Sequence, residues 1–224
     1  MMPDAVMLFA AGFGTRMGAL TADRPKPLIA VAGRPLLDHA LALTAGVPTR
    51  VVNAHYRAEQ VISHLKDTNI AVSVETPEIL DTGGGLRHAL PLLGTQPVYT
   101  LNTDAVWSRP NPLDRLAAAW QPDRMDALLL CIPLDRAVGR SGSGDFALGP
   151  DGALMRGGDF VYTGAQIIKT DALAGIGEKA FSLNLLWNQM AQEGRLFGTA
   201  YPGRWCDVGH PEGITLAEEM LANV

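Results

Sequence analysis

A chain of 224 residues has room for one substantial core, and a second catalytic domain of ordinary size does not fit. Its 18 Lys and Arg against 23 Asp and Glu leave a formal charge of −5, which argues against a nucleic-acid surface while permitting a local cationic pocket. Cys131 and Cys206 lie far apart without companion ligands, which excludes a zinc or disulfide framework and favours a reducing compartment. The N terminus carries no basic segment followed by a long apolar core, and the apolar run over 5–11 is far below a membrane span. A soluble, cytoplasmic, monomeric protein with no membrane partner is expected.

In chain order, the first apolar run reads as a buried strand. Helical periodicity follows over 35–45, a strand over 50–54 and a helix over 58–65, the start of a βαβ alternation. Further strands are expected at 70–74, 98–101 and 127–132, and further helices at 84–90 and 113–120. Residues 140–168 are rich in glycine turns and short polar-apolar segments, and read as an antiparallel hairpin insertion beside the sheet. A helix over 183–193, an edge strand over 197–201 and a closing helix over 212–222 complete the chain. The reading is α/β: one domain over 1–224 with a doubly wound, mostly parallel, Rossmann-like sheet flanked by helices.

The first strand opens into Ala11-Gly12-Phe13-Gly14-Thr15-Arg16, with Lys26 close behind between Pro25 and Pro27. Small residues let backbone N–H groups approach phosphate oxygens, and the cations match their charge. Neither familiar phosphate loop fits. Met17 stands where a dinucleotide fingerprint needs its third glycine, and the chain contains no Walker string.

The text from Phe9 to Thr21, followed by Pro25-Lys26-Pro27-Leu28, closely resembles the signature of bacterial sugar-1-phosphate nucleotidyltransferases. The resemblance continues through Asn53-Ala54-His55-Tyr56, Asp81-Thr82-Gly83-Gly84-Gly85, Asn102-Thr103-Asp104 and Trp205-Cys206-Asp207-Val208-Gly209, and so covers essentially the whole chain. Short length and the triple glycine look most like the N-acetylmuramate 1-phosphate uridylyltransferase subgroup. Mannose- and glucose-1-phosphate nucleotidyltransferases share most of these residues and stand as the alternative; a noncatalytic nucleotide-binding regulator is the rival from another class. The chain departs from the family at Ala19, where proline is usual, and at Thr103, where many relatives have glycine. It also lacks a Glu-Lys-Pro motif in its later half, so a second catalytic lysine is not carried over.

The resemblance implies a GT-A-like nucleotide-sugar fold, a nucleoside triphosphate and a sugar 1-phosphate as substrates, and Mg²⁺. It casts Arg16 and Lys26 as catalytic cations, and Asp104 and Asp207 as the metal carboxylates. Nucleotide contacts fall to Ala11, Gly12, Gly14, Thr15, Arg16, Asn53, Glu78, Thr82 and Gly83, although glycines 83–85 also suit an ordinary turn. Sugar contacts fall to Asn102, Asp145, Asp159, Thr163 and Gly164, several of which suit hairpin stabilisation equally well. Trp107 and Trp205 are candidates either for sugar platforms or for core packing.

Overall fold

The computed structural model describes residues 1–94 and 97–223, and among these nine strands join in one sheet. In chain order they are β1 (Ala5–Phe9), β2 (Thr49–Ala54), β3 (Ala71–Val74), β4 (Val98–Asn102), β5 (Ala127–Pro133), β6 (Phe146–Leu148), β7 (Leu154–Arg156), β8 (Phe160–Ile168) and β9 (Leu196–Ala200). They lie in the order β7-β6-β8-β4-β1-β2-β3, with β5 also paired to β8 and β9 to β5. Strands β1 to β4 are parallel to one another, and β9 is parallel to β5. Between these two groups β8 runs antiparallel to both β4 and β5. The sheet is therefore mostly parallel, with one reversed central strand and a short antiparallel hairpin, β6–β7, at one end.

Among the described residues there are six α-helices, α1 (Leu36–Leu43), α2 (Ala58–Leu65), α3 (Asp81–Leu93), α4 (Pro112–Ala119), α5 (Asn184–Gln192) and α6 (Pro211–Ala222); the first five flank this sheet, and α6 packs beside Val106 and Cys206 of a smaller one. Strand β1 shows why both faces need cover. Val6 and Leu8 pack with Leu37, Val61 and Leu116 from α1, α2 and α4, whereas Ala5 and Met7 pack with Leu86 and Ala89 from α3 and Leu186 from α5. Alternate side chains of one strand thus enter two cores, which is why its sequence is continuously apolar. At α4, the Asn111 side chain accepts from Leu113 N at 2.9 Å and Pro112 takes the first turn, so the helix starts one residue before the apolar periodicity does.

Helix α3 begins earlier than its periodicity predicts, at Asp81 rather than residue 84, and runs through all three glycines. Each helical glycine costs about 1 kcal/mol relative to alanine, and tertiary packing offsets that. A Cβ at position 83 would run into the Phe181 ring, and one at 84 would lie 2.6 Å from the Lys179 carbonyl oxygen.

A second, three-stranded sheet sets Trp205–Asp207 between Ala105–Trp107 and Ala137–Val138. Residues 140–168 supply both the β6–β7 hairpin and the long strand β8. A register shift between Tyr162 and Gln166 separates the parts of β8. Its first residue pairs with β6, and its last four pair with β4. Among the described residues, no helix is long and apolar enough to cross a membrane.

At the start of β5, the Asp126 carboxylate accepts from Lys169 Nζ at 2.8 Å and from Arg195 Nε and Nη2 at 2.9 and 2.8 Å. These bonds tie β5 to the residue after β8 and the residue before β9. The Arg195 hydrogen bonds, helped by Lys169 and opposed by burial, hold this carboxyl below the usual carboxylate range. A depressed carboxyl pKa contributes stability that is present above the unfolded value and lost as pH falls through the folded one. Asp126→Asn is therefore expected to lower the melting temperature by a few degrees at about pH 7, with the difference from wild type shrinking towards about pH 3. Thermal unfolding at the two pH values checks this.

Candidate active site

The chain leaves β1 for β2 and β3 on one side and returns to β4 on the other, so strand order reverses at β1. Such a reversal leaves a crevice at the carboxyl ends of the strands, where open α/β sheets collect ligands. A cavity of about 310 Å³ opens there. It is walled by Phe9, Ala10 and Ala11 at the end of β1 and by Asn102, Thr103 and Asp104 at the end of β4, with Gly12, Gly14, Thr15, Arg16 and Lys26 around the phosphate loop.

Gly14 has a left-handed backbone (φ 65°) and admits Lys26 closely, since a Cβ there would stand 2.9 Å from the lysine Cβ. A Cβ on Gly12 would meet nothing within 4 Å, so the cavity side of the loop is open space. Lys26 is buried, and its Nζ donates to Asp104 Oδ2 at 2.8 Å. Arg16 stands exposed on the short helical segment Thr15–Thr21 and forms no ion pair among the described residues. The departure at Thr103 has a local reason: its hydroxyl donates to Phe9 O at 2.7 Å and joins the ends of β4 and β1.

The two aspartates, remote in sequence, meet through the small sheet. Asp207 pairs with Ala105 in an antiparallel register, and Val208 N donates to Asp104 O at 2.8 Å. Burial, then the charge of Asp104, pushes the Asp207 carboxyl above its ordinary range, against the pull of Lys26, Arg16 and Arg140. Gly209 lies between Arg16 and Asp207: a Cβ there would be 3.0 Å from Asp207 Oδ2 and 3.3 Å from Arg16 Nη1. Two mutually repelling carboxylates offer hard oxygen ligands and excess negative charge, a donor set that fits a divalent cation. Among the described residues no group of three or more His, Cys, Asp or Glu is placed to hold a metal ion, so further ligands would come from substrate phosphate and water.

On the opposite wall, Asn53 Oδ1 accepts from Ala10 N at 2.6 Å while its Nδ2 donates to Glu75 Oε1 at 2.7 Å. Glu75 Oε2 accepts from Leu80 N at 2.7 Å, so this buried pair ties together the ends of β1, β2 and β3. Sequence reasoning missed Glu75 and selected Glu78, which is exposed and lines neither cavity. The overlooked signal was position: Glu75 directly follows β3 at its carboxyl end. Thr82 lines the cavity, and its Oγ1 accepts from Leu183 N at 3.0 Å. Gly83 lies behind that wall, its N–H given to Phe181 O at 2.9 Å.

A second cavity of about 310 Å³ shares Phe9, Asp81, Thr82 and Asn102 with the first, so the two adjoin. Asp145 lines it with both oxygens engaged, Oδ1 by Arg140 Nη2 at 2.9 Å and Oδ2 by Tyr162 N at 2.9 Å. Gly164 (φ 88°) packs behind Asn102, where a Cβ would come within 2.7 Å of the asparagine Cβ. Thr163 is buried and donates to Leu130 O at 2.6 Å, and Asp159 is exposed; neither lines a cavity. Trp107 and Trp205 belong to the core. Their rings stand 6.3 Å apart, and Trp107 meets Tyr201 edge-on at 5.0 Å. Arg140 and Arg156, absent from the expected set, both reach the second cavity.

The chain is similar to known proteins over nearly its whole length. The chain is 41% identical to the N-acetylmuramate alpha-1-phosphate uridylyltransferase of Caulobacter vibrioides, over 98% of each chain. It is 34% identical to the protein of the same name from Neisseria meningitidis serogroup B, over 91% of this chain and 92% of that one. The crystal structure of HddC from Yersinia pseudotuberculosis complexed with GMP-PN shares the fold, with a TM-score of 0.77 at 20% identity over 97% of this chain and 99% of that chain. Residues 6–141, which carry the phosphate loop, Lys26 and Asp104, match the MobA-like NTP transferase domain. The chain belongs to the MobA-like NTP transferase family.

Proposed function

We propose that the protein transfers UMP from UTP to N-acetyl-α-D-muramate 1-phosphate, releasing pyrophosphate and UDP-N-acetylmuramate. The observation that carries the reading is Lys26 bonded to Asp104 in the wall of the first cavity, with Asp207 held beside Asp104 by the small sheet and a second cavity adjoining the first across Asn102 and Thr82. Near-full-length similarity to two N-acetylmuramate alpha-1-phosphate uridylyltransferases supports the choice of acceptor and nucleotide.

In this reaction a phosphate oxygen of the sugar attacks the α-phosphorus of UTP, and the α–β bridging oxygen leaves with pyrophosphate. No protein nucleophile is required; positioning and charge stabilisation suffice. The amides around Ala11, Gly12, Gly14 and Thr15 receive phosphate oxygens, and the Arg16 fork takes the departing pair. Lys26 neutralises charge at the meeting point of the two phosphates. Asp104 and Asp207 hold a divalent cation, Mg²⁺ in this reading, which when bound orients phosphate oxygens and offsets their charge. Asn53 and Thr82 border the base, while Asn102 faces the acceptor sugar from between the cavities. The substrates suit a cytoplasmic role in peptidoglycan recycling, carried out by a monomer.

The test is pyrophosphate release across a matrix of nucleoside triphosphates and α-sugar 1-phosphates with Mg²⁺. Highest kcat/KM is expected for UTP with the muramate phosphate. Preference for mannose or glucose 1-phosphate, with negligible muramate turnover, overturns the acceptor; nucleotide binding without pyrophosphate release overturns the reaction.

A further inference from the structure

The second cavity contains a cation that the proposed transfer chemistry does not use. Arg156 ends β7, opposite Phe146 in the hairpin register, and lines this cavity. Its Nε donates to Asn188 Oδ1 at 3.0 Å and one Nη donates to Asn184 O at 3.4 Å. The guanidinium lies 4.8 Å from the Phe146 ring centroid and 5.7 Å from that of Trp187. Two aromatic rings and two hydrogen bonds therefore fix the plane of the fork.

Charge separates Arg156 from its neighbour. Arg140 is paired with Asp145, whose other oxygen is occupied by the Tyr162 amide. Arg156 forms no ion pair among the described residues, and the second Nη of its fork donates no hydrogen bond there. The one carboxylate that acts on Arg156 across this cavity, Asp145, is already engaged by Arg140 and the Tyr162 amide, so the oriented guanidinium is matched by a planar anion on the ligand, whose two oxygens fit its parallel N–H groups.

Position identifies which end of the ligand it meets. Arg156 lies on β7, three strands from β4, the strand that leads into Asp104. The sugar's phosphate must lie near Lys26 and Asp104 to react, so Arg156 meets the part of the sugar away from that phosphate. Muramate differs from glucosamine in a lactyl ether on C3, which carries a carboxylate and is separated from the phosphate-bearing C1 by another ring carbon.

We propose that Arg156 binds the carboxylate of the acceptor and thereby selects a sugar acid over its neutral counterpart, an inference that rests on the acceptor reading above. Arg156 acts as a specificity residue and takes no part in phosphoryl chemistry.

The experiment compares N-acetylmuramate 1-phosphate, its lactyl methyl ester and N-acetylglucosamine 1-phosphate, using wild type, Arg156→Lys and Arg156→Gln at saturating UTP. Wild type is expected to favour the acid over the ester by about 10- to 100-fold in kcat/KM, the range for a hydrogen-bonded charged group, mainly through KM. Arg156→Gln should bring that ratio close to unity, and Arg156→Lys should leave an intermediate ratio. The wild-type comparison needs no variant and stands even if substitution disturbs the packing on Phe146 and Trp187. Equal use of acid and ester by wild type overturns the proposal alone, as does an Arg156→Gln enzyme that loses both in proportion. A wild-type enzyme that uses N-acetylglucosamine 1-phosphate and rejects muramate overturns the acceptor reading, and this proposal with it.

Discussion

Replacing Lys26 with alanine is expected to lower kcat by about two to three orders of magnitude, the loss seen when a single preorganised charge-stabilising donor is removed. Lys26 is held on both sides. Gly14 lets its stem pass close to the loop, and Asp104 accepts its Nζ at 2.8 Å. The ammonium is therefore already in place before substrate arrives, and its contribution falls on turnover more than on affinity. Loss of the cation also removes one of the groups opposing repulsion between Asp104 and Asp207. Pyrophosphate release at saturating substrates, with circular dichroism to establish folding, is the measurement. A folded Lys26→Ala enzyme with near-native kcat rejects this role.

The aspartates should separate stability from activity. Asp207→Asn is expected to cost at least about 100-fold in metal-dependent turnover while raising the melting temperature of the ligand-free protein by about 2–4 °C. The rise follows from its setting: burial and the nearby Asp104 both disfavour its charge, and an amide of similar size relieves both. Asp104→Asn should lose comparable activity without that gain, because it removes the ion-pair partner of the buried Lys26. Melting curves and Mg²⁺ titrations of the two folded variants check the contrast. The carboxylate assignment fails if both variants keep normal metal dependence.

Much of the scaffold was legible because it rests on local period. Helix α2 matches its expected span over 58–65, β2, β3 and β4 lie within a residue of theirs, and β1 ends two residues inside its apolar run. The first turn of α3 was not legible, since the glycine run also suits a turn locally, and it is packing of Gly83 and Gly84 against residues 179–181 and of Gly85 against Glu75 that leaves no room for side chains there. At the site, residues adjoining the ends of β1 and β4 were readable from the strand-then-loop text, and Ala11, Gly12, Gly14, Thr15, Arg16, Lys26, Asn102 and Asp104 share one cavity. The acceptor side was harder. Thr163 and Asp145 have the right chemistry, yet Thr163 donates to the backbone of β5, and Asp145 is engaged by Arg140 and by β8. Arg156 could not be picked from its neighbours, because its orientation depends on Phe146, Trp187 and Asn188, brought together from separate segments.

The small sheet imposes an order on assembly. All nine strands of the main sheet precede Tyr201, whereas Asp207 lies beyond it in the strand that aligns the second carboxylate with the first. A chain emerging from the ribosome therefore presents the phosphate loop, Lys26 and Asp104 before it can present Asp207. Helix α6 arrives later still, and its Ala217 and Met220 pack with Met17 and Ile29 beneath the segment that carries Arg16 and Lys26. On the roles proposed for Asp207, Arg16 and Lys26, the site is completed only once the stretch from Trp205 to Ala222 has been synthesised, after the main sheet is already whole.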